Sequence, residues 1–251
     1  MALHLLQNIT DAPIIELDTI DSTNNYAMRL IDADTAQPGL TITAREQTQG
    51  KGQRGRTWQD NAGQSLLMSI IVEPVHSLER QFLFNVAATV AITEVLQKKC
   101  ENCDIRIKWP NDIIVNDKKA GGVLIENVIR GNRWAYSIIG LGLNVLQEDM
   151  PAALPYATSL YLENRQSFDI RMLRLDLRTD ILKNLYNGDD ETLMRHYNQY
   201  LYRRGQLQRF SDELTEWEAL INGVNVEGQL VVQLTDGSMQ RYTHGSVSWQ
   251  W

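Results

Sequence analysis

Gln47-Thr-Gln-Gly-Lys-Gly-Gln-Arg-Gly-Arg56 sets three glycines, Gly50, Gly52 and Gly55, among three cations, Lys51, Arg54 and Arg56. Glycine lets backbone amides come close to an anion, and the cations supply charge-assisted hydrogen bonds. The segment suits a phosphate or a phosphate-linked carboxylate. Two nucleotide motifs share parts of it. Gly50-x-Gly-x-x-Gly55 matches the dinucleotide fingerprint, and Gly50-x4-Gly55-Arg56-Thr57 is a P-loop with arginine for lysine. Both need a strand directly before the glycines and a helix directly after, so that phosphate meets a helix N-terminus. Here five polar residues, Arg45 to Gln49, separate the expected strand Leu40 to Ala44 from Gly50. Downstream, Gln59-Asp-Asn-Ala-Gly63 breaks any helix, and Ser65-Leu-Leu-Met-Ser-Ile-Ile-Val72 reads as a buried strand. The context disfavours both nucleotide folds. On this segment alone, a plain solvated loop explains the string equally well.

The odds change downstream. Ile105-Arg-Ile-Lys-Trp109 alternates as a strand does, and Pro110 stops it. Asn111 and Asp112 then place an amide and a carboxylate at the strand break, a common position for functional groups. Ile113 to Asn116, a turn through Asn116-Asp-Lys118, and Lys119-Ala-Gly-Gly-Val-Leu-Ile-Glu126 read as a hairpin. Lys119 stands at the mouth of its second strand. Gly121-Gly122 predicts a bulge or the close approach of a ligand. A further strand, Ala135 to Ile139, runs into Gly140-Leu-Gly-Leu-Asn-Val145 and leaves Asn144 at a strand end. Ordinary turn chemistry accounts for any one of these features. Together they gather Lys119, Asn111, Asp112, Asn144 and the cationic loop at the strand ends of one sheet.

The remaining chain divides by its punctuation. Ser22 is placed to cap a helix carrying Ala27, Leu30 and Ile31 on one face. Leu78 to Lys99 reads as a long, largely buried helix. Asp169 opens an amphipathic helix through Leu173, Leu177, Ile181 and Leu185 that Gly188 closes, and Glu191 to Leu201 forms a shorter one. Past Gly205 come Leu214 to Gly223, Gln229 to Leu234 and Met239 to Tyr242, separated by Asn222-Gly223, Glu227-Gly228 and Asp236-Gly237. These hairpin signals predict a small β-barrel, which divides the chain into residues 1–204 and 205–251.

The 251 residues, 43% of them hydrophobic, suffice for one good core plus a small appended domain. A net charge of −7 and a pI near 5.2 argue against a surface built to neutralise nucleic acid. No apolar run reaches transmembrane length, and Met1 to Ile15 lacks a basic-then-apolar leader, so no membrane role and a cytoplasmic protein are expected. Cys100-Glu-Asn-Cys103 fits half a zinc site or a redox pair. The histidines His4, His76, His196 and His244 stand singly, and the cysteines follow a helix instead of opening one. Two thiols in a loop is the better reading, and no structural metal is expected.

In order and spacing, Gln-x-x-Gly-Lys-Gly-x-Arg-Gly-Arg, Lys108-Trp-Pro-Asn-Asp112, Lys119-x-x-Gly-Val-Leu-x-Glu126 and Gly140-x-Gly-x-Asn144 resemble the catalytic domain of biotin–protein ligases. Ser22-Thr23-Asn24 and Trp58 fit the same family, and the resemblance covers roughly residues 14 to 250. It implies an α+β fold: a mixed β-sheet with flanking helices, the class II synthetase-like catalytic domain, and a small C-terminal SH3-like barrel. It implies activation of biotin by ATP, with Mg2+, to biotinyl-5′-AMP. Biotin then passes to a lysine of a biotin carboxyl carrier protein of a carboxylase. By resemblance Lys119, Arg56 and Asp112 are catalytic. Lys119 would hold the biotin carboxylate, and Asp112 would take the acceptor amine's proton or bind magnesium. Ser22, Thr23, Asn24, Gln47, Lys51, Gly52, Gln53, Lys119 and Gly122 would bind biotin. Lys51, Arg54, Arg56, Trp58, Asn111 and Asn144 would bind ATP, with Trp58 stacked on adenine. Some relatives add an N-terminal DNA-binding module; only about twenty residues precede Ser22, so a ligase without repressor function is expected. Lipoate or octanoate ligation and a non-catalytic biotin sensor are the rival readings. A homodimer through sheet edges is compatible with such a fold but leaves no sequence pattern. The Gly-rich loop is expected to be mobile until ligand orders it. Many relatives carry arginine where Gln53 stands, and the neutral amide is expected to hold the adenylate less firmly.

Overall fold

The computed structural model describes residues 7–75, 77–212 and 214–250. Met1 to Leu6, His76, Glu213 and Trp251 lie outside the described residues, and with them two of the histidines weighed as ligands, His4 and His76. Seven strands build the main sheet: β1 (Ile14–Ile20), β2 (Thr41–Gln47), β3 (Ser65–Val72), β4 (Ile105–Lys108), β5 (Asp112–Val115), β6 (Lys118–Arg130) and β7 (Arg133–Asn144). Their order is β1-β2-β3-β7-β6-β5-β4. β1 and β2 run parallel and every other neighbouring pair is antiparallel. The single parallel pair needs a crossover, which α1 (Thr23–Asp32) supplies.

All eight residues of β3 are buried, because both faces of the sheet are covered there. One face meets α2 (Gln81–Lys99), an apolar helix whose small Ala87, Ala88 and Ala91 bring it close to its neighbours. Behind the short α3 (Leu160–Asn164) in sequence come α4 (Ile170–Asn187) and α5 (Asp190–Tyr200), both packed on α2. As expected, Asp169 caps α4, accepting from the Arg171 and Met172 amides at 2.8 and 3.1 Å. On the opposite face, Ile42, Ile71 and Ile138 meet Ala27 and Ile31 of α1.

A second sheet holds β8 (Leu207–Ser211), β9 (Glu216–Val224), β10 (Leu230–Leu234), β11 (Met239–Tyr242) and β12 (Ser248–Trp249), ordered β11-β10-β9-β8-β12. All its pairings are antiparallel. Phe210 of β8 lies 6.4 Å from the Tyr242 ring of one edge strand and 5.9 Å from the Trp249 ring of the other. A flat sheet could not bring both edges to one central ring, so the sheet curls around it.

Two expectations are corrected, and strands β8 and β12 were not foreseen. β2 continues to Gln47 instead of ending at Ala44, because β1 extends alongside it to the pair Ile20–Gln47. Polar side chains at Arg45 and Glu46 hid a strand whose partner supplies the backbone bonds. Ser22 occupies the N-cap of α1, yet its side chain makes no capping bond. Strands β8 and β12 carry too little alternation to stand out from the surrounding turns.

One buried cation ties the chain's start to the body. Arg178 of α4 donates to the carbonyls of Thr10, Ile9, Ala12 and Gly39 and to the Thr41 hydroxyl, at 2.6 to 3.2 Å. Removing it would take this donor from the part-buried Thr10 and Ala12 carbonyls, and leave the buried Ile9 and Gly39 carbonyls only the Ala12 amide and the Thr41 hydroxyl. Arg178→Ala is therefore expected to lower the unfolding free energy by about 3 kcal/mol in a urea titration. A loss below about 1 kcal/mol would show that water satisfies those carbonyls.

Candidate functional site

Register decides which side chains share the sheet face beside α1. Across one rung stand Lys108 (β4), Asp112 (β5), Gly122 (β6), Gly142 (β7), Leu67 (β3) and Ala44 (β2). On β7 the face runs Ile138, Gly140, Gly142, Asn144. Ile138 packs under α1, and beyond it two missing side chains open a groove. Its floor is backbone. A Cβ at Gly140 would overlap the Asn24 carboxamide, and one at Gly142 would lie 2.7 Å from the Trp58 indole.

Lys119 reaches this face because of a bulge. Ile113 pairs with Gly121 but Ile114 pairs with Lys119, so Ala120 is an extra residue in β6. In a regular strand Lys119 and Gly122 would point to opposite faces. The bulge puts them together, with Lys119 Nζ 3.8 Å from the place of a Gly122 Cβ. Lys119 Nζ then meets Asp112 Oδ1 at 2.7 Å. The turn before it uses Asn116 and Asp117 with φ of 48° and 66°, as a tight hairpin requires. A strap fixes the lysine backbone: Lys119 donates to the Tyr156 carbonyl at 2.7 Å and Thr158 donates to the Lys119 carbonyl at 2.9 Å.

The first turn of α1 walls the groove. Gln47 Oε1 accepts from the Thr23 amide and hydroxyl at 2.8 and 3.1 Å. Ser69 Oγ lies 2.7 Å from Thr23 Oγ1 and donates to Asn24 Oδ1 at 2.6 Å. Asn24 in turn donates to Glu126 Oε2 at 2.7 Å, and Lys51 pairs with Glu126 Oε1 at 3.3 Å. Ser22, Thr23 and Asn24 are all buried. Sequence reasoning missed Ser69 and gave Glu126 no role. Ser69 sits in an apolar strand, and only the register shows that it faces the groove.

Over the groove lies the Gly-rich loop. Lys51 pairs with Thr57, Gly52 donates to the Arg56 carbonyl at 2.7 Å, and Trp58 donates to the Gly50 carbonyl at 2.9 Å. Trp58 rests on Gly142, and its buried indole Nε1 has no hydrogen-bond partner among the described residues. Arg56 and Gln53 flank the turn, while Arg54 leads away from the groove to the Gly245 carbonyl at 2.9 Å. Of the expected residues, Thr23, Asn24, Gln47, Lys51, Trp58, Asp112, Lys119 and Gly122 share this groove. Asn111 and Asn144 stand at the groove's end, each buried, with their amides given to the carbonyls of Val123 and Thr158. Gln147, which sequence reasoning did not single out, holds Asn144 Oδ1 at 3.3 Å and Ser65 Oγ at 2.7 Å.

Cations dominate one side. Lys108 is buried, its Nζ donating to the Trp249 carbonyl at 3.3 Å and lying 5.3 Å from that indole. Burial pushes its amine down to about 8; the Asp112 carboxylate opposes that shift, and the Lys119 and Arg56 charges add to it. His244, edge-on to Trp109 at 5.7 Å, is held below its ordinary value, first by desolvation and then by Arg54. Among the described residues there is no cluster of three or more His, Cys, Asp or Glu able to hold a metal ion. Cys100 and Cys103 close a turn, with the Cys103 amide donating to the Cys100 carbonyl at 3.0 Å. Burial pushes the Cys100 thiol up to about 12, which suits a structural role.

A model of the family described as biotin/lipoate A/B protein ligase matches residues 16–144. The bifunctional ligase/repressor BirA of Bacillus spizizenii is 34% identical over 159 residues, which cover 62% of this chain and 48% of that protein. The biotin–[acetyl-CoA-carboxylase] ligase of Paracoccus denitrificans is 32% identical over 144 residues, covering 55% and 57%. This chain spans about half the length of the Bacillus relatives it matches. Among solved structures, biotin protein ligase from Aquifex aeolicus in complex with biotin and ATP superposes with a TM-score of 0.78 at 23% identity, over 94% of this chain and 98% of that one. That likeness is one of fold. Among the described residues no helix is long and apolar enough to cross a membrane.

The Lys108 amine gives a pH test. Its folded value near 8 lies below the ordinary lysine value of 10.5, so unfolding takes up a proton between those limits and stability rises with pH across them. Relative to Lys108→Met, the wild type should gain on the order of 3 kcal/mol from pH 8 to 10.5. A difference that stays constant over that window would mean the amine is solvated in the folded protein.

Proposed function

We propose, on the premise that this chain belongs to the biotin/lipoate A/B protein ligase family, that it activates biotin with ATP and transfers it to a lysine of a biotin carboxyl carrier protein. The observation that carries the reading is Lys119, paired with Asp112 on a glycine floor between a buried polar wall and a cationic loop. Two anions must meet for a carboxylate to attack a phosphate, and they repel unless cations share the space. Lys119 neutralises the biotin carboxylate as Asp112 lets go of it. Arg56 and Lys51 face the α-phosphate. The bond formed joins a carboxylate oxygen to phosphorus, and pyrophosphate leaves.

Thr23, Asn24 and Gln47, with Ser22 beside them, offer a fixed set of donors and acceptors that matches a ureido ring better than an aliphatic chain. Gly52 and Gln53 close over the carboxylate end, and Gly122 gives it room. Trp58 stacks on adenine, and Asn111 and Asn144 border the phosphates. The wall supports biotin over lipoate, as do the relatives named as biotin ligases. Mg2+ would travel with the ATP phosphates and take at most one protein carboxylate, Asp112, the usual manner for that ion. It would supply charge neutralisation on the phosphates. In the second half-reaction the acceptor amine attacks the acyl carbon, Asp112 takes its proton, and AMP leaves.

Incubation with labelled biotin, ATP, magnesium and a biotin carboxyl carrier domain is expected to label the carrier, with lipoate giving none. Lys119→Ala should cut the rate at least a hundredfold, since a desolvated carboxylate left without its cation costs about 3–5 kcal/mol. Equal labelling by lipoate, or a mutant retaining more than about a tenth of the rate, would overturn this assignment.

A further inference from the structure

Arg54, a cation of the Gly-rich loop, reaches to the second sheet. Its guanidinium donates to the Gly245 carbonyl at 2.9 Å, across 191 positions of sequence. Gly245 has a φ of 84°, and a Cβ there would overlap that guanidinium. The contact therefore depends on glycine twice, for the turn and for the space. Next to it, the His244 imidazole stands edge-on to Trp109, whose indole donates to the Gly228 carbonyl at 2.9 Å. One turn of the second sheet, Thr243 to Ser246, thus rests on the cationic loop and on the Lys108–Asp112 segment at once.

We propose that Arg54 and Gly245 form a latch through which the second sheet holds the Gly-rich loop closed, so that Arg54 is a positioning residue and not a phosphate ligand. The proposal rests on the reading that this loop covers an acyl-adenylate. Closure of a glycine-rich segment costs conformational entropy, and a charged donor on a fixed carbonyl offsets part of it at the loop's apex. His244, whose imidazole is held below its ordinary value, adds no repelling charge to Arg54 while it is neutral, so the contact stays uncontested near pH 7.

The latch separates from simple destabilisation by a matched control. Gly237 has a φ of 86° in the same sheet, and a Cβ there meets nothing within 4 Å. Gly245→Ala and Gly237→Ala therefore carry the same backbone strain, and only the first displaces Arg54. In full-length, ligand-free protein, Gly245→Ala is expected to speed tryptic cleavage at Lys51 and Arg56 about tenfold, and Gly237→Ala to leave it unchanged. With preformed biotinyl-5′-AMP, Gly245→Ala should release the adenylate about tenfold faster, raising KM more than it lowers kcat. Arg54→Gln, free of backbone strain, should reproduce both effects, Arg54→Lys should restore part of them, and Gly245→Ala added to Arg54→Gln should change nothing further. Equal cleavage in the two glycine variants, or additive effects in the double variant, would overturn the latch. If no adenylate forms in any variant, the function assignment fails, and the ligand-free cleavage rates still decide the latch.

Discussion

The ion pair between Lys119 and Asp112, 2.7 Å long, is the contact on which the rest of the site depends. An ammonium held on the groove floor, partly withdrawn from water, needs a partner, and one that can be exchanged for an incoming carboxylate. Asp112 serves because β5 starts at it, directly after Pro110 and Asn111, on the same rung as Gly122. The extra residue in β6 aims the lysine there. At an effective dielectric near 20, two like charges 4 Å apart repel by about 4 kcal/mol, so the proposed encounter of carboxylate and phosphate requires this arrangement of cations.

The surrounding groups are rigid where recognition is needed. Ser69, Thr23, Asn24, Gln47 and Glu126 satisfy one another, so little freedom remains to be lost when a polar ring docks. At the other end, Glu163 takes Thr158, Asn116 and Lys118 at 2.7 to 3.3 Å. The strap through Thr158 thereby fixes both Lys119, through its backbone, and Asn144, through its amide. The loop above contrasts with this. Its internal bonds are few, and Arg54 ties its apex to a different sheet.

How much of this was legible follows from the range of the interactions. The hairpin around Lys119 was readable because its turn chemistry and glycines are local. β3 was readable because six of its eight residues are apolar, in the runs Leu66 to Met68 and Ile70 to Val72. The bulge was foreseen near Gly121-Gly122, but its effect, turning Lys119 onto the groove, depends on pairing with β5. β1 passed unread, since its alternation is weak and its place is set by its parallel partner. Ser69 gave no signal within a buried strand, and its place is set by pairing with Gly140. Arg54 was grouped with its neighbouring cations because nothing in ten residues of loop points to Gly245. Local composition identified the chemistry, and long-range register assigned the roles.

The most direct test of the account is exchange of labelled pyrophosphate into ATP with no carrier present. This isolates the step in which a carboxylate attacks the α-phosphate. Exchange that requires biotin, that lipoate does not support, and that disappears in Asp112→Asn together with Lys119→Ala is the predicted result. Exchange without biotin, or persisting near the wild-type rate when both members of the pair are gone, would contradict it.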